Sequence, residues 1–130
     1  MQPQAEKIII AEDDKLTAQI WCNVLRSARF EVEIVPSGDA VLARVQEWPA
    51  AGLVLDVMLP GIDGLTVLKK VRATPEVQAL PVLVVTNAFV PELINRAKAA
   101  GADQVFGKDT ITPQELIEFF RKSFAKRLAA

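Results

Sequence analysis

Four apolar runs in the chain each lead to a residue capable of chemistry. Ile8–Ala11 runs into Glu12-Asp13-Asp14, Leu53–Leu55 into Asp56, Val82–Val85 into Thr86, and Val105–Phe106 through Gly107 to Lys108. If Glu12, Asp13 and Asp56 meet, they repel one another, and Lys108 offsets only one of the three charges. A residual of two negative charges on hard oxygen donors, with no nitrogen or sulfur ligand beside them, asks for Mg²⁺ or Mn²⁺. A carboxylate next to such a cation, facing a lysine and a hydroxyl, is arranged to accept a phosphoryl group. Asp56 is then the nucleophile that becomes an acyl phosphate, Lys108 neutralises the transferring oxygens, and Thr86 donates a hydrogen bond to one of them. Each residue alone has a plainer role. Asp13 or Asp14 can cap a helix, Asp56 can lead a turn into Leu59-Pro60-Gly61, Thr86 suits a strand, and Lys108 suits solvent. Their convergence carries the reading.

Convergence requires a scaffold that brings four strand ends to one edge. The runs Ile8–Ala11, Val32–Val35, Leu53–Leu55, Val82–Val85 and Val105–Phe106 are short and mostly do not alternate with polar residues, as expected of strands buried on both faces. Helical stripes lie between and after them: Leu16, Ile20, Val24, Leu25 and Ala28; Val41, Leu42, Val45 and Trp48; Leu65, Leu68 and Val71; Leu93, Ile94, Ala97 and Ala100; Leu116, Ile117, Phe120, Phe124 and Leu128. Ser37 is placed to cap the second helix and Asp14 the first, Pro91 to open the fourth and Gly101 to close it. Thr112-Pro113-Gln114-Glu115 reads as a capping box. The pattern predicts an α/β fold, (βα)₅, with a parallel sheet covered by helices on both faces and its ligand site at the carboxyl edge. One domain over residues 1–130, with a core of about 6–128, accounts for the length.

Composition removes several alternatives. The 130 residues contain no histidine, which excludes Ser-His-Asp and Cys-His catalysis, histidine-ligated zinc and a histidine phosphocarrier. A net charge of −1 argues against direct nucleic-acid binding. Cys22 is the one cysteine, no apolar run is long enough to span a bilayer, and the Met1–Lys7 head is unlike a signal peptide. A reducing, cytoplasmic setting without membrane contact is expected.

Four stretches together resemble the receiver domain of two-component response regulators, over essentially the whole chain. They are Lys7–Asp14, Leu53–Gly64, Leu80–Thr86 and Gly101-Ala102-Asp103 with Lys108. The resemblance implies a flavodoxin-like, doubly wound five-stranded sheet of order 2-1-3-4-5. It implies a signalling phosphoacceptor and no enzyme of its own. Asp56 takes the phosphoryl group from the phosphohistidine of a sensor histidine kinase or a histidine phosphotransfer protein. Asp13, Asp56 and the Met58 backbone carbonyl ligate Mg²⁺ or Mn²⁺, and Glu12 acts through water. Thr86 and Lys108 grip the phosphoryl group, and the response passes through the fourth helix, fifth strand and fifth helix to an output partner, the chain being a monomer or weak dimer.

The chain departs from that pattern at three places. Val105 fills the position where an aromatic switch residue is usual, and period 2 turns Phe106 to the other face of its strand. Asp109 follows Lys108 in place of proline, for which a trans bond is expected. Asn87 follows Thr86 where a small residue is usual, and forms the pocket rim with Ala88. These departures leave a degenerate receiver, docking without phosphorylation, as the alternative. A haloacid-dehalogenase-type phosphatase needs a second aspartate where Met58 stands, and a flavodoxin needs a phosphate loop where Glu12-Asp13-Asp14 stands. Trp21 and Trp48 are expected in packing, Phe89 and Phe119 at the rim of the fold, and Arg121, Lys122, Lys126 and Arg127 on a solvated helix face.

Overall fold

Continuous Val, Ile and Leu runs need cover on both faces, and the chain supplies it with two layers of helices around one sheet. The computed structural model describes residues 5–129, with side chains as far as Arg127. Met1–Gln4 of the polar head, and the side chain of Leu128 at the end of the last predicted stripe, lie outside the described residues. The elements alternate throughout: β1 (Lys7–Ala11), α1 (Lys15–Ser27), β2 (Glu31–Val35), α2 (Gly38–Glu47), β3 (Gly52–Asp56), α3 (Gly64–Ala73), β4 (Val82–Thr86), α4 (Pro91–Ala100), β5 (Gln104–Gly107) and α5 (Pro113–Ala129). All five strands are parallel, in the order β2-β1-β3-β4-β5.

Side-chain alternation divides the core. Ile9, Ala11, Leu53, Leu55, Val82, Val84 and Val105 face α2, α3 and α4. Ile8, Ile10, Val54, Leu83 and Val85 face α1 and α5, where Phe120 and Phe124 fill the layer. Phe106 packs on this second side, as period 2 requires.

The caps follow their chemistry. Asp14 accepts the Thr17 N–H at 3.0 Å and Asp63 the Thr66 N–H at 3.1 Å. Thr112 and Glu115 bond reciprocally at 3.0 and 3.1 Å, the capping box expected from the sequence. Gly101 closes α4 in the left-handed region at φ 112°. Two expectations need correction. Ser37 stands at the N-cap of α2, but its side chain makes no capping bond; beside it, the Gly38 N–H donates to Pro60 O at 3.1 Å. The α1 stripe is rotated from the expected one: Ala18, Trp21, Cys22 and Leu25 are buried, whereas Leu16 is 71 % and Ile20 51 % exposed. Both sets have helical spacing. Seating the large Trp21 indole beside Ile8, Ile10 and Val32 turns Ile20, one residue away around the helix, toward solvent.

The expected rim and surface residues divide similarly. Trp48 is half-buried with Lys7 and Arg44 over its ring, and Phe119 packs edge-on against Phe120 at 4.9 Å. Arg121, Lys122, Lys126 and Arg127 are exposed, though Arg127 reaches Glu6 at 2.9 Å.

Candidate functional site

Strand register fixes which residues meet at the carboxyl edge. Ala11 is level with Leu55, so Glu12 and Asp13 emerge beside Asp56, at the place where strand order reverses between β1 and β3. Asp56 is level with Val85, and Thr86 with Gly107, so Thr86 and Lys108 flank the site from the other side. The Lys108 N–H donates to Thr86 O at 2.9 Å and ties these two exits together.

Glu12, Asp13 and Asp56 each bring a carboxylate oxygen within 4.8 Å of the others. Glu12 and Asp56 are buried and Asp13 is exposed, so the cluster opens to solvent on one side. Lys108 Nζ lies 2.7 Å from Glu12 Oε1 and 3.3 Å from Asp56 Oδ2. The Asp56 carboxylate also accepts the Met58 N–H at 3.2 Å, and Glu12 Oε2 accepts the Asp14 N–H at 3.0 Å. Burial pushes the Glu12 carboxyl above its ordinary value, against the pull of Lys108 and the Asp14 N–H. Burial also opposes the charge on Lys108, but Glu12 and Asp56 together outweigh it and raise that ammonium.

Glu12 Oε1 is buried, and its close polar neighbour is the Lys108 ammonium. Three carboxylates converging with a single lysine against them form the hard-oxygen donor set that a divalent cation takes. The acidic triad therefore suits a divalent metal.

Thr86 is buried, and its hydroxyl oxygen accepts the Ala88 N–H at 3.0 Å. Asn87 and Ala88 are exposed and line a groove of about 520 Å³ with Met58, Asp63, Leu93 and Arg96. The last three were not singled out from the sequence: Leu93 belongs to a core stripe, Asp63 to a cap, and Arg96 bears no local signal. Val105 is buried beneath the sheet edge, so no aromatic side chain stands at that position. Phe89, half-exposed, instead lies over Gly107. The Lys108–Asp109 bond is trans.

These features coincide with a known family. The profile described as "Response regulator receiver domain" matches residues 8–121. The chain belongs to this family. Receiver domains serve two-component signalling and are not catalytic enzymes, and that signalling implies a histidine kinase partner. The chain is 32 % identical over 108 residues to the phosphate regulon transcriptional regulatory protein PhoB of Rhizobium meliloti, covering 83 % of this chain and 48 % of that protein. It is 35 % identical over 113 residues to the transcriptional regulatory protein BaeR of Escherichia coli, covering 85 % and 45 %. The receiver chain thus spans about half the length of these curated relatives. A putative response regulator from Chloroflexus aurantiacus superposes with a TM-score of 0.87 at 33 % identity, over 93 % of this chain and 98 % of that one. The fold is shared also with the Mn²⁺-bound form of the response regulator Rcp1, at 21 % identity and a TM-score of 0.75 over 89 % and 90 %. No helix among the described residues is long and apolar enough to cross a membrane.

Proposed function

We propose that this receiver accepts a phosphoryl group on Asp56 from the phosphohistidine of a partner kinase or phosphotransfer protein, with Mg²⁺ or Mn²⁺ held by Asp13, Asp56 and the Met58 carbonyl. The observation that carries the reading is the meeting of the Glu12, Asp13 and Asp56 carboxylates within 4.8 Å of one another, with the partly buried Lys108 against Glu12 and Asp56. A bound cation supplies positive charge to the transferring oxygens and offsets the residual negative charge of the cluster.

An Asp56 carboxylate oxygen attacks phosphorus, an O–P bond forms as the donor's N–P bond breaks, and the departing imidazole nitrogen takes up a proton. Lys108, already against Asp56, follows the charge onto the phosphoryl oxygens. The Thr86 hydroxyl presently accepts from Ala88 and has its proton free to donate to a phosphoryl oxygen. Glu12 holds Lys108 from behind and acts on the metal through water.

The five exposed large apolar residues among those described, Leu16, Ile20, Met58, Phe89 and Val90, all lie on segments leaving the carboxyl ends of β1, β3 and β4. A protein donor therefore meets exposed apolar side chains on the segments that leave the site edge. The response reaches an output partner through α4, β5 and α5, with Val105 providing no aromatic to report it. One domain spans residues 1–130 and works in the cytoplasm as a monomer or weak dimer.

Incubation with a small phosphodonor and Mg²⁺, followed by intact mass, tests the reading. Wild type should gain one phosphoryl group and Asp56→Asn none. No gain under conditions that label another receiver would leave the phosphorylation-independent docking module as the function.

A further inference from the structure

The segment from Val57 to Asp63 carries the Met58 carbonyl that the proposed site offers to the cation. Its inner end is pinned by its own chain: the Gly64 N–H donates to Val57 O at 2.9 Å, and Asp63 caps α3. Its outer flank is held by a different element. Gly38, the first residue of α2, donates its N–H to Pro60 O at 3.1 Å. A Cβ on Gly38 would stand 1.8 Å from Ile62 O and 2.8 Å from the Ile62 carbonyl carbon. One residue further on, Asp39 covers Gly61, which holds φ 78°, so closely that a Cβ there would stand 1.8 Å from Asp39 Oδ2. The loop thus closes against the bare backbone of α2, and α2 has no room to retreat, since Val41 and Val45 are fully packed in the core behind it.

We propose that Gly38 is a positioning residue for the cation site: the backbone of α2 at Gly38 sets where the Met58 carbonyl stands and so sets metal affinity. This rests on the reading of the acidic cluster as a metal site. A side chain at Gly38 must move Ile62 O from 1.8 Å to beyond 3.0 Å, because backbone cannot swing aside as a flexible side chain can. With Gly64 held on Val57 O and packed against Asp56 O, the shift has to be absorbed within the segment between them, which includes Met58. Mg²⁺ demands near-ideal octahedral geometry at about 2.0–2.1 Å, so a carbonyl displaced on this scale ceases to be a ligand. Linkage makes the effect reciprocal: an occupied site tightens the seating of α2 on the loop.

Counting free Mn²⁺ by electron paramagnetic resonance gives the affinity directly, without phosphorylation. Gly38→Ala should weaken Mn²⁺ binding by about 10-fold to 100-fold, the range typical when a support behind a metal ligand is lost. Gly52→Ala is the matched control. It places a Cβ 2.5 Å from the Phe120 ring at the other end of β3, so it should lose stability yet keep wild-type affinity. In wild type, the Gly38 amide resonance should shift on Mg²⁺ addition with the same midpoint as that of Met58, which decides the matter even if Gly38→Ala does not fold. Wild-type affinity in folded Gly38→Ala, equal weakening in Gly52→Ala, or a Gly38 amide that stays still at saturating Mg²⁺ each overturns the proposal. Wild type that binds no Mn²⁺ overturns the metal reading itself, a different result from binding that ignores Gly38.

Discussion

Replacing Asp13 with asparagine should make the metal-free protein more stable while abolishing its response to Mg²⁺. The three carboxylates approach within 4.8 Å of one another, and Asp13 is the exposed member. At that separation, each repulsion from Glu12 or Asp56 amounts to about 1 kcal/mol in a water-like dielectric. Lys108, engaged with Glu12 and Asp56, returns part of this as attraction to Asp13. The net relief on removing the Asp13 charge is about 1 kcal/mol, or roughly 3–5 °C in melting temperature for a domain of this size. Because the repulsion crosses solvent, the gain should shrink as ionic strength rises past the point where the screening length is about 8 Å. Thermal and urea unfolding of wild type and Asp13→Asn, with and without Mg²⁺, measure all of this. Wild type should gain stability on adding Mg²⁺ and the variant should not. A metal-free variant less stable than wild type, or one with an undiminished Mg²⁺ response, would refute the idea of a repulsive cluster awaiting a cation.

Further perturbations address the supports of the site. Lys108→Met leaves Glu12 buried without its cation and should cost about 3–5 kcal/mol in urea unfolding near neutral pH. The Glu12 carboxyl already sits above its ordinary value, so its protonated form favours the fold, and that advantage is lost as pH rises through the folded value. The Lys108→Met deficit should therefore narrow in acid, and a pH-independent deficit would count against the Glu12 pairing. Asp63→Ala removes the α3 cap and should cost about 0.5–2 kcal/mol by urea unfolding at neutral pH. The Asp63 carboxyl is held below its ordinary value by Thr66, so the stabilisation is complete above about 3.8 and fades as pH falls through the lower folded value. The difference between wild type and variant should close at the acid end. Arg72→Met breaks bonds to Gly101 O, Gln78 O, Leu80 O and Asp103 at the amino edge of the sheet. It should cost at least about 2 kcal/mol by the same assay while leaving the Mg²⁺ response intact.

Sequence reading reached the parts of the molecule that obey local rules. Runs such as Leu53–Leu55 and Val82–Val85 are short, rich in Val and Leu and unalternating, which favours a doubly covered strand, and in a parallel sheet the residues that follow them share one edge. Thr112 and Glu115 signal their helix start three residues apart, and Gly101 its end, because capping is local chemistry. Features set by distant segments were illegible. Two helical stripes compete in α1, and the one with Leu16 and Ile20 looks more apolar. The seating of Trp21 against Ile8 and Val32 decides for the other. Ser37 has the side chain of a cap yet makes no capping bond, and the Gly38 N–H beside it goes to Pro60 O on a segment distant in sequence. Lys108 could be assigned to the site from its position after β5, whereas its close approach to Glu12 depends on burial that only the packed edge creates. Arg72 resembles any cation in a last helical turn until the carbonyls of Leu80 and Gly101 arrive from other elements.

The most direct test of the account is to locate the phosphoryl group. Wild type is incubated with a small phosphodonor in Mg²⁺ or in chelator, the acyl phosphate is trapped by hydride reduction, and the modified residue is read from peptide masses. The account predicts one modification, at Asp56, present with Mg²⁺ and absent in chelator. Modification at Asp13 or Glu12, or equal labelling at Asp56 without a divalent cation, would contradict it.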